Sequence, residues 1–198
     1  MEGVAVSLCT TTYAKRAADL ANINTQELQD LLDAATDMIE LFCDRTFAST
    51  AYTAKQDGTG AQWIYAENAP LIEFTQVTIE DPDGTTETIA ASEFRTDAET
   101  GKIWFTDDND SSYVYFPVGF QNVQIDYTGG YSTIPSAVQR ACLLVARALY
   151  AQTSGGWNAA AQSERMGEHN FTRVSANQDP LTPSARALLA PYVRQLFV

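Results

Sequence analysis

Between Val123 and Gln152 an alternating strand, a double glycine and an apolar helix follow one another directly. Val123, Ile125 and Tyr127 alternate with polar residues, the period-2 pattern of a half-buried strand. Gly129-Gly130 then breaks the strand, because glycine reaches backbone angles that a β-carbon makes costly. Pro135 suits the first turn of a helix, where its missing N–H removes a donor that has no partner anyway. The residues that follow, Ser136 to Gln152, are apolar on nearly every side, with only Gln139, Arg140, Arg147 and Gln152 strongly polar. A helix of that kind is buried in a core or between subunits. The chain must therefore bury a helix that comes directly off a β region.

Charge is distributed as unevenly as hydropathy. The 198 residues carry a formal net charge of −13. Residues 24–44 hold six acids and no base, and residues 67–116 hold twelve acids against Arg95 and Lys102. Residues 117–198 reverse the balance, with six arginines and four acids. An acidic front and a mildly basic back exclude a protein that grips nucleic acid, since binding there relies on neutralising phosphates with Lys and Arg. Surrounding DNA without gripping it stays open.

Asn24 or Thr25 caps a helix from Glu27 to Glu40 that ends near Cys43 or Asp44. Leu28, Leu31, Leu32, Ala35, Ile39 and Phe42 share one face of it. Glu27, Asp30, Asp33, Asp37, Glu40 and Asp44 follow at intervals of three or four, forming a near-continuous acidic stripe. Like charges at that spacing cost roughly 0.2–0.5 kcal/mol per pair. The stripe is either a solvated helix face or a surface that lines an acidic channel or meets a basic neighbour.

Beyond a loop and a polar hairpin region around Asp57–Gly60, six segments read as strands: Trp63–Tyr65, Val77–Ile79, Thr86–Ile89, Ile103–Phe105, Tyr113–Phe116 and Val123–Tyr127. Asp83-Gly84 and Glu99-Thr-Gly101 are turn signals between them, and short turns favour antiparallel pairing. Residues 60–128 thus read as a β insertion in a helical frame. Residues 153–198 read as a C-terminal arm with His169–Ser175 as an edge strand or arm segment. Its closing helix has Thr182 as cap, Pro183 at the first position, and Ala185, Leu188, Leu189, Tyr192, Val193 and Leu196 as its apolar stripe. Pro191 should kink or interrupt it.

Enzymatic signals are missing. His169 is the single histidine and has no ligand-spaced cysteine or acid beside it, while a zinc site needs about four ligands. No strained nucleophile turn accompanies it. Asp107-Asp-Asn-Asp110 resembles half a calcium loop but lacks the glycine and the distal glutamate. Gly58-Thr-Gly60 and Gly129-Gly130 lack the context of phosphate loops. A carboxylate-pair hydrolase remains only a remote alternative, because such pairs have no sequence spacing. Three cysteines at unmotivated spacings suit reduced thiols in a cytosolic setting. No run approaches the roughly 18 apolar residues of a membrane helix, and the N-terminus does not read as a signal peptide.

In order along the chain, three groups of landmarks resemble the head–tail connector (adaptor, or head-completion) proteins of long-tailed phages and related particles. The first is Glu40-Leu-Phe-Cys-Asp-Arg-Thr-Phe47 with Asp57-Gly-Thr-Gly-Ala-Gln-Trp63 and Ala69-Pro-Leu-Ile72. The second is the Val123–Pro135 junction with its buried helix, and the third is Leu181-Thr-Pro-Ser-Ala185 leading to Leu188-Leu-Ala-Pro-Tyr192. The resemblance covers residues 24–198. It implies an α+β fold: a small α-helical bundle with an inserted antiparallel β region and an extended C-terminal arm ending in a helix, all within a single connector domain over residues 1–198.

It also implies no catalysis and no cofactor or metal. The implied role is structural: a homo-oligomeric ring, commonly of twelve subunits, in the virion neck, assembled in the host cytoplasm. The ring would join the portal protein to a stopper or tail-terminator protein and extend the DNA channel, with DNA passing through unbound and no membrane involved. The acidic residues Glu27, Asp30, Asp33, Asp37, Glu40 and Asp44 are the candidate lumen or subunit-interface face. Leu188, Tyr192, Leu196 and Phe197 are the candidate portal-docking residues, the alternative being that this helix completes the subunit's own core. Another neck or tail protein, such as a tail terminator, is the competing identity.

Overall fold

The computed structural model describes residues 7–106, 113–153 and 179–194, together with the backbone of residues 163–166 and 169–172. Helices and antiparallel sheets are both present, so the fold is α+β as expected. Two compact units divide the chain: residues 1–45 with 134–198, and residues 46–133.

In the first unit a short helix, α1 (Thr11–Ala14), leads to α2 (Thr25–Cys43), then α3 (Ser136–Thr153) and α4 (Pro183–Leu189). Asn24 caps α2 by accepting the Gln26 N–H at 2.8 Å. Asp44 ends it in the left-handed region at φ 52°, returning its N–H to the Glu40 carbonyl. The buried face of α2 is Leu28, Leu32, Ala35, Thr36, Ile39 and Cys43. Thr36 is accommodated because its hydroxyl donates to the Leu32 carbonyl at 2.8 Å and accepts the Leu8 N–H at 3.1 Å. Helix α3 buries Val138, Ala141, Cys142, Leu143, Val145 and Ala146, and packs against both α2 and α4. Each large aliphatic side chain buried this way contributes about 1.5–3 kcal/mol.

Pro135 differs in place from the sequence expectation. The helix begins at Ser136, and Pro135 stands before it with its carbonyl accepting the Gln139 N–H at 3.0 Å. Thr182 and Pro183 open α4 as anticipated, the Thr182 hydroxyl accepting the Ala185 N–H. Pro191 lies in a 3-10 turn, Ala190–Tyr192, that closes the helix. Beyond α3 the backbone forms a hairpin of β8 (Ser163–Met166) and β9 (His169–Thr172).

The described residues of the second unit form seven strands: β1 (Thr50–Gly58), β2 (Trp63–Tyr65), β3 (Leu71–Glu80), β4 (Thr86–Ala90), β5 (Phe94–Asp97), β6 (Lys102–Phe105) and β7 (Gly119–Gly129). They form a four-stranded sheet in the order β1-β7-β3-β4 and a three-stranded sheet in the order β2-β6-β5, every pair antiparallel. Their shared core includes Val77, Ile79, Ile103, Val123, Ile125 and a cluster of Phe94, Phe105 and Phe116 rings.

The anticipated turns are in place: the Gly84 N–H donates to the Asp81 carbonyl and the Gly101 N–H to the Asp97 carbonyl, each at 2.9 Å. Tyr113–Phe116 is not a strand. Phe116 enters the core as an anchor, its N–H and carbonyl bonded to Ala61 and Gly60, while Val114 and Tyr115 turn outward. β1 is not among the strands the sequence analysis expects, and only its end meets the hairpin region around Asp57–Gly60. Its side chains are mostly polar and small, so it shows no apolar alternation beyond Tyr52 and Ala54.

The double glycine is set by close packing. A β-carbon on Gly129 would lie 2.1 Å from the Asn68 carbonyl oxygen, and one on Gly130 would lie 2.4 Å from that of Ala48. Gly130 also has φ +102°, and its N–H donates to the Pro70 carbonyl at 2.9 Å. The next N–H, of Tyr131, donates to the Phe47 carbonyl at 2.8 Å.

Candidate assembly surfaces

Helix α2 presents its acids on the arc opposite its buried face, but the six do not share one environment. Glu27, Asp30, Asp37 and Asp44 are exposed, whereas Asp33 and Glu40 are half-buried. Asp33 is held inside the subunit: it accepts from the Ser7 hydroxyl at 2.6 Å and from the Gln29 amide at 2.9 Å. Asp30 accepts from the Gln26 amide at 3.0 Å, one turn back along the helix. Asp44 lies 3.6 Å from the Arg194 guanidinium. Glu27, Asp30 and Asp37 thus remain as the outward carboxylates of the stripe.

An apolar residue stands among them. Leu41, four residues after Asp37 and three before Asp44, is 85% exposed. Its exposure is a tertiary property that the spacing of the acids does not announce.

The C-terminal residues are divided between core and surface. Leu181, Ala185 and Leu189 are buried in the helical unit, and the Arg186 guanidinium sits 5.0 Å above the Phe42 ring of α2. Leu188 and Tyr192 are half-buried. Leu196 and Phe197 lie outside the described residues. Three of the arginines after residue 134 are engaged within the chain: Arg147 with Asp19 at 2.7 Å, Arg186 with Asp179, and Arg194 with Asp44. Arg140 on α3 is exposed, with no ion pair among the described residues.

The β unit has its own outward apolar group, which the sequence reading did not single out. Val118 is 77% and Phe120 83% exposed at the start of β7, with Val114 and Tyr115 exposed just before them. Beside them a cleft of about 320 Å³ is lined by Trp63, Trp104, Phe105 and Val114, with Gln62, Lys102 and Thr106. Trp63 and Trp104 are cross-strand partners, and the Lys102 ammonium lies over both rings at 4.9 and 5.7 Å.

Chemistry suited to catalysis does not gather anywhere among the described residues. No group of three His, Cys, Asp or Glu is placed to hold a metal ion there. Asp107–Asp110 and the His169 side chain lie outside the described residues. The carboxylates that depart from their ordinary range go downward. Turn hydrogen bonds from Thr85 hold Asp83 low, and the Thr100 hydroxyl does the same for Asp97. A general acid requires the opposite shift. A β-carbon on Gly58 would lie 1.8 Å from the Pro117 carbonyl oxygen, so that glycine serves strand packing rather than a phosphate cradle.

The profile of the head completion protein family matches residues 7–194. The chain belongs to the head completion protein family. As a member it is a structural virion protein and not an enzyme. Solved structures share its fold. The neck of an empty gene transfer agent particle, reconstructed with six-fold symmetry, is similar at TM-score 0.62 and 18% identity, covering 100% of this chain and 96% of that one. The neck of the native gene transfer agent particle, reconstructed with twelve-fold symmetry, is similar at TM-score 0.58 and 18% identity, covering 100% and 98%. The virion of the native particle is similar at 0.59 and 16% identity, covering 95% and 90%. No curated protein sequence matches significantly.

Proposed function

We propose that this head completion protein forms a ring in the virion neck, joins the portal to the next neck or tail protein, and extends the DNA channel. The family match over residues 7–194 carries the reading. The shared fold with a neck reconstructed in twelve-fold symmetry supports a ring, and twelve copies as its size. A ring of this kind needs two different faces per subunit that meet each other.

Glu27, Asp30 and Asp37 supply one face, with Leu41 in the same arc. Arg140 on α3 supplies charge of the opposite sign. An exposed leucine is covered at a subunit contact and meets only water in an open lumen, which favours the interface role for α2. Leu188, Tyr192, Leu196 and Phe197 are the docking set for the portal, whereas Leu181, Ala185 and Leu189 serve the subunit's own core. The apolar group at Val118 and Phe120 is the platform for the stopper or tail-terminator protein.

Electron microscopy of the purified chain mixed with portal from the same particle tests this. Rings capping the portal are expected. Binding to tail tube with none to portal would instead make the chain a tail terminator.

A further inference from the structure

We propose that the β8–β9 hairpin of one subunit adds to the open edge of β1 in its neighbour, continuing the four-stranded sheet across the subunit boundary. The proposal rests on the ring reading above. β1 ends the sheet β1-β7-β3-β4 and has no strand on its far side among the described residues. It pairs with β7 from Thr50 to Gln56 without a register shift, so about 23 Å of regular backbone edge is offered at ~3.3 Å per residue.

Natural edges are protected by shortness, proline, bulges or charge. Within Thr50–Gln56 there is no proline and no bulge, and Lys55, 3.9 Å from Glu80, is the single charge. Tyr52 stacks on Tyr127 at 5.2 Å and holds the strand in place from its inner side. The remaining edges are poorer templates. β4 has five residues and carries Glu87 near Glu80, Asp81 and Asp83, while β2 has three and β5 four.

The hairpin supplies the complementary need. β8 and β9 pair from Ser163 with Thr172 to Met166 with His169, and they form a two-stranded sheet of their own. A two-stranded hairpin is marginal in water and becomes stable when a further strand is added. Strand addition satisfies it through main-chain bonds, which need no particular side chains. Nine residues separate α3 from β8 and ten separate β9 from α4, each enough to span about 30 Å when extended. Hairpin and β1 edge are different surfaces that each occur once per subunit. Pairing them therefore propagates around a ring and covers the β1 edge of every subunit.

Amide hydrogen exchange of the ring and of the dissociated chain tests the proposal, in the native protein and in a variant with residues 163–172 replaced by ten Gly/Ser residues. Assembly should slow exchange of β1 amides by about tenfold or more in the native chain and leave them fast in the variant. In a mixture of differently tagged subunits carrying Thr53→Cys or Asn170→Cys, a disulfide between the two tags is expected on oxidation by glutathione disulfide. Rings whose β1 amides exchange as fast as in the dissociated chain would overturn the proposal and leave the ring reading intact. So would a double-cysteine chain that cross-links only within itself. A native chain that forms no ring, with or without portal, would overturn both.

Discussion

Arg194 is fastened to the end of α2 twice: its guanidinium lies 3.6 Å from the Asp44 carboxylate, and its backbone N–H donates to the Cys43 carbonyl at 2.9 Å. Part of the charge complementarity between the acidic front and the basic back is thus used inside one subunit. Asp44 leaves the set of carboxylates free for a neighbour, and so does Asp33, held by Ser7 and Gln29. The outward set is Glu27, Asp30 and Asp37.

At the C-terminus, core residues and the proposed docking residues should respond differently to substitution. Leu189 is fully buried, so Leu189→Ala should cost about 2–5 kcal/mol in a urea melt. Arg194→Ala, which removes an exposed pair, should cost about 1 kcal/mol or less. Deleting residues 195–198 should leave the melt unchanged and abolish capture of portal in a pull-down. Full portal capture by the truncated chain would remove Leu196 and Phe197 from the docking surface.

Replacing Glu27, Asp30 and Asp37 with lysine relieves or redistributes like charges worth roughly 0.2–0.5 kcal/mol per pair, so the fold should survive with a thermal midpoint near that of the native chain. Ring assembly and infectious titre should fall together. Normal particles from the triple variant would show that this face meets nothing.

Gly130→Ala places a β-carbon 2.4 Å from the Ala48 carbonyl oxygen at φ +102°. Backbone strain alone costs on the order of 1–3 kcal/mol, and the clash adds to it. The variant should unfold at markedly lower denaturant. An unchanged midpoint would mean that the Gly130 contacts to Ala48 and Pro70 do not constrain the end of β7.

Asp179 accepts the Leu181 N–H at 2.9 Å and pairs with Arg186, and these hold its carboxyl below the ordinary range. A lowered folded-state pKa contributes stability that is complete above the ordinary value of ~3.9 and lost as pH falls through the folded value. The Leu181 amide should therefore lose protection on acidification below about pH 4, before the amides of α4. Asp179→Asn should remove that pH dependence, read by NMR.

What could be read from the sequence followed from local chemistry. Asn24, Thr182 and Pro183 mark helix starts because capping is a matter of adjacent residues, and Asp83-Gly84 marks its turn for the same reason. Val123, Ile125 and Tyr127 announced β7 because one face of it is buried. β1 was not legible: it stands at a sheet edge, and five of its nine residues are exposed, so burial imposed little pattern on it. Phe116 misled because an aromatic anchor in a loop has the same composition as a short strand. The acidic stripe was readable as a spacing, but the tie of Asp33 to Ser7, 26 residues away, depends on how the N-terminal segment returns along α2. Leu41, Val118 and Phe120 went unremarked because exposure of an apolar residue is a tertiary property.

The most direct measurement is a reconstruction of the neck from purified particles that carry this chain. The account predicts a ring, with twelve copies, seated on the portal, with α2 of one subunit facing α3 of the next near Arg140. Density for this chain elsewhere in the particle, or as single copies without ring contacts, would contradict it.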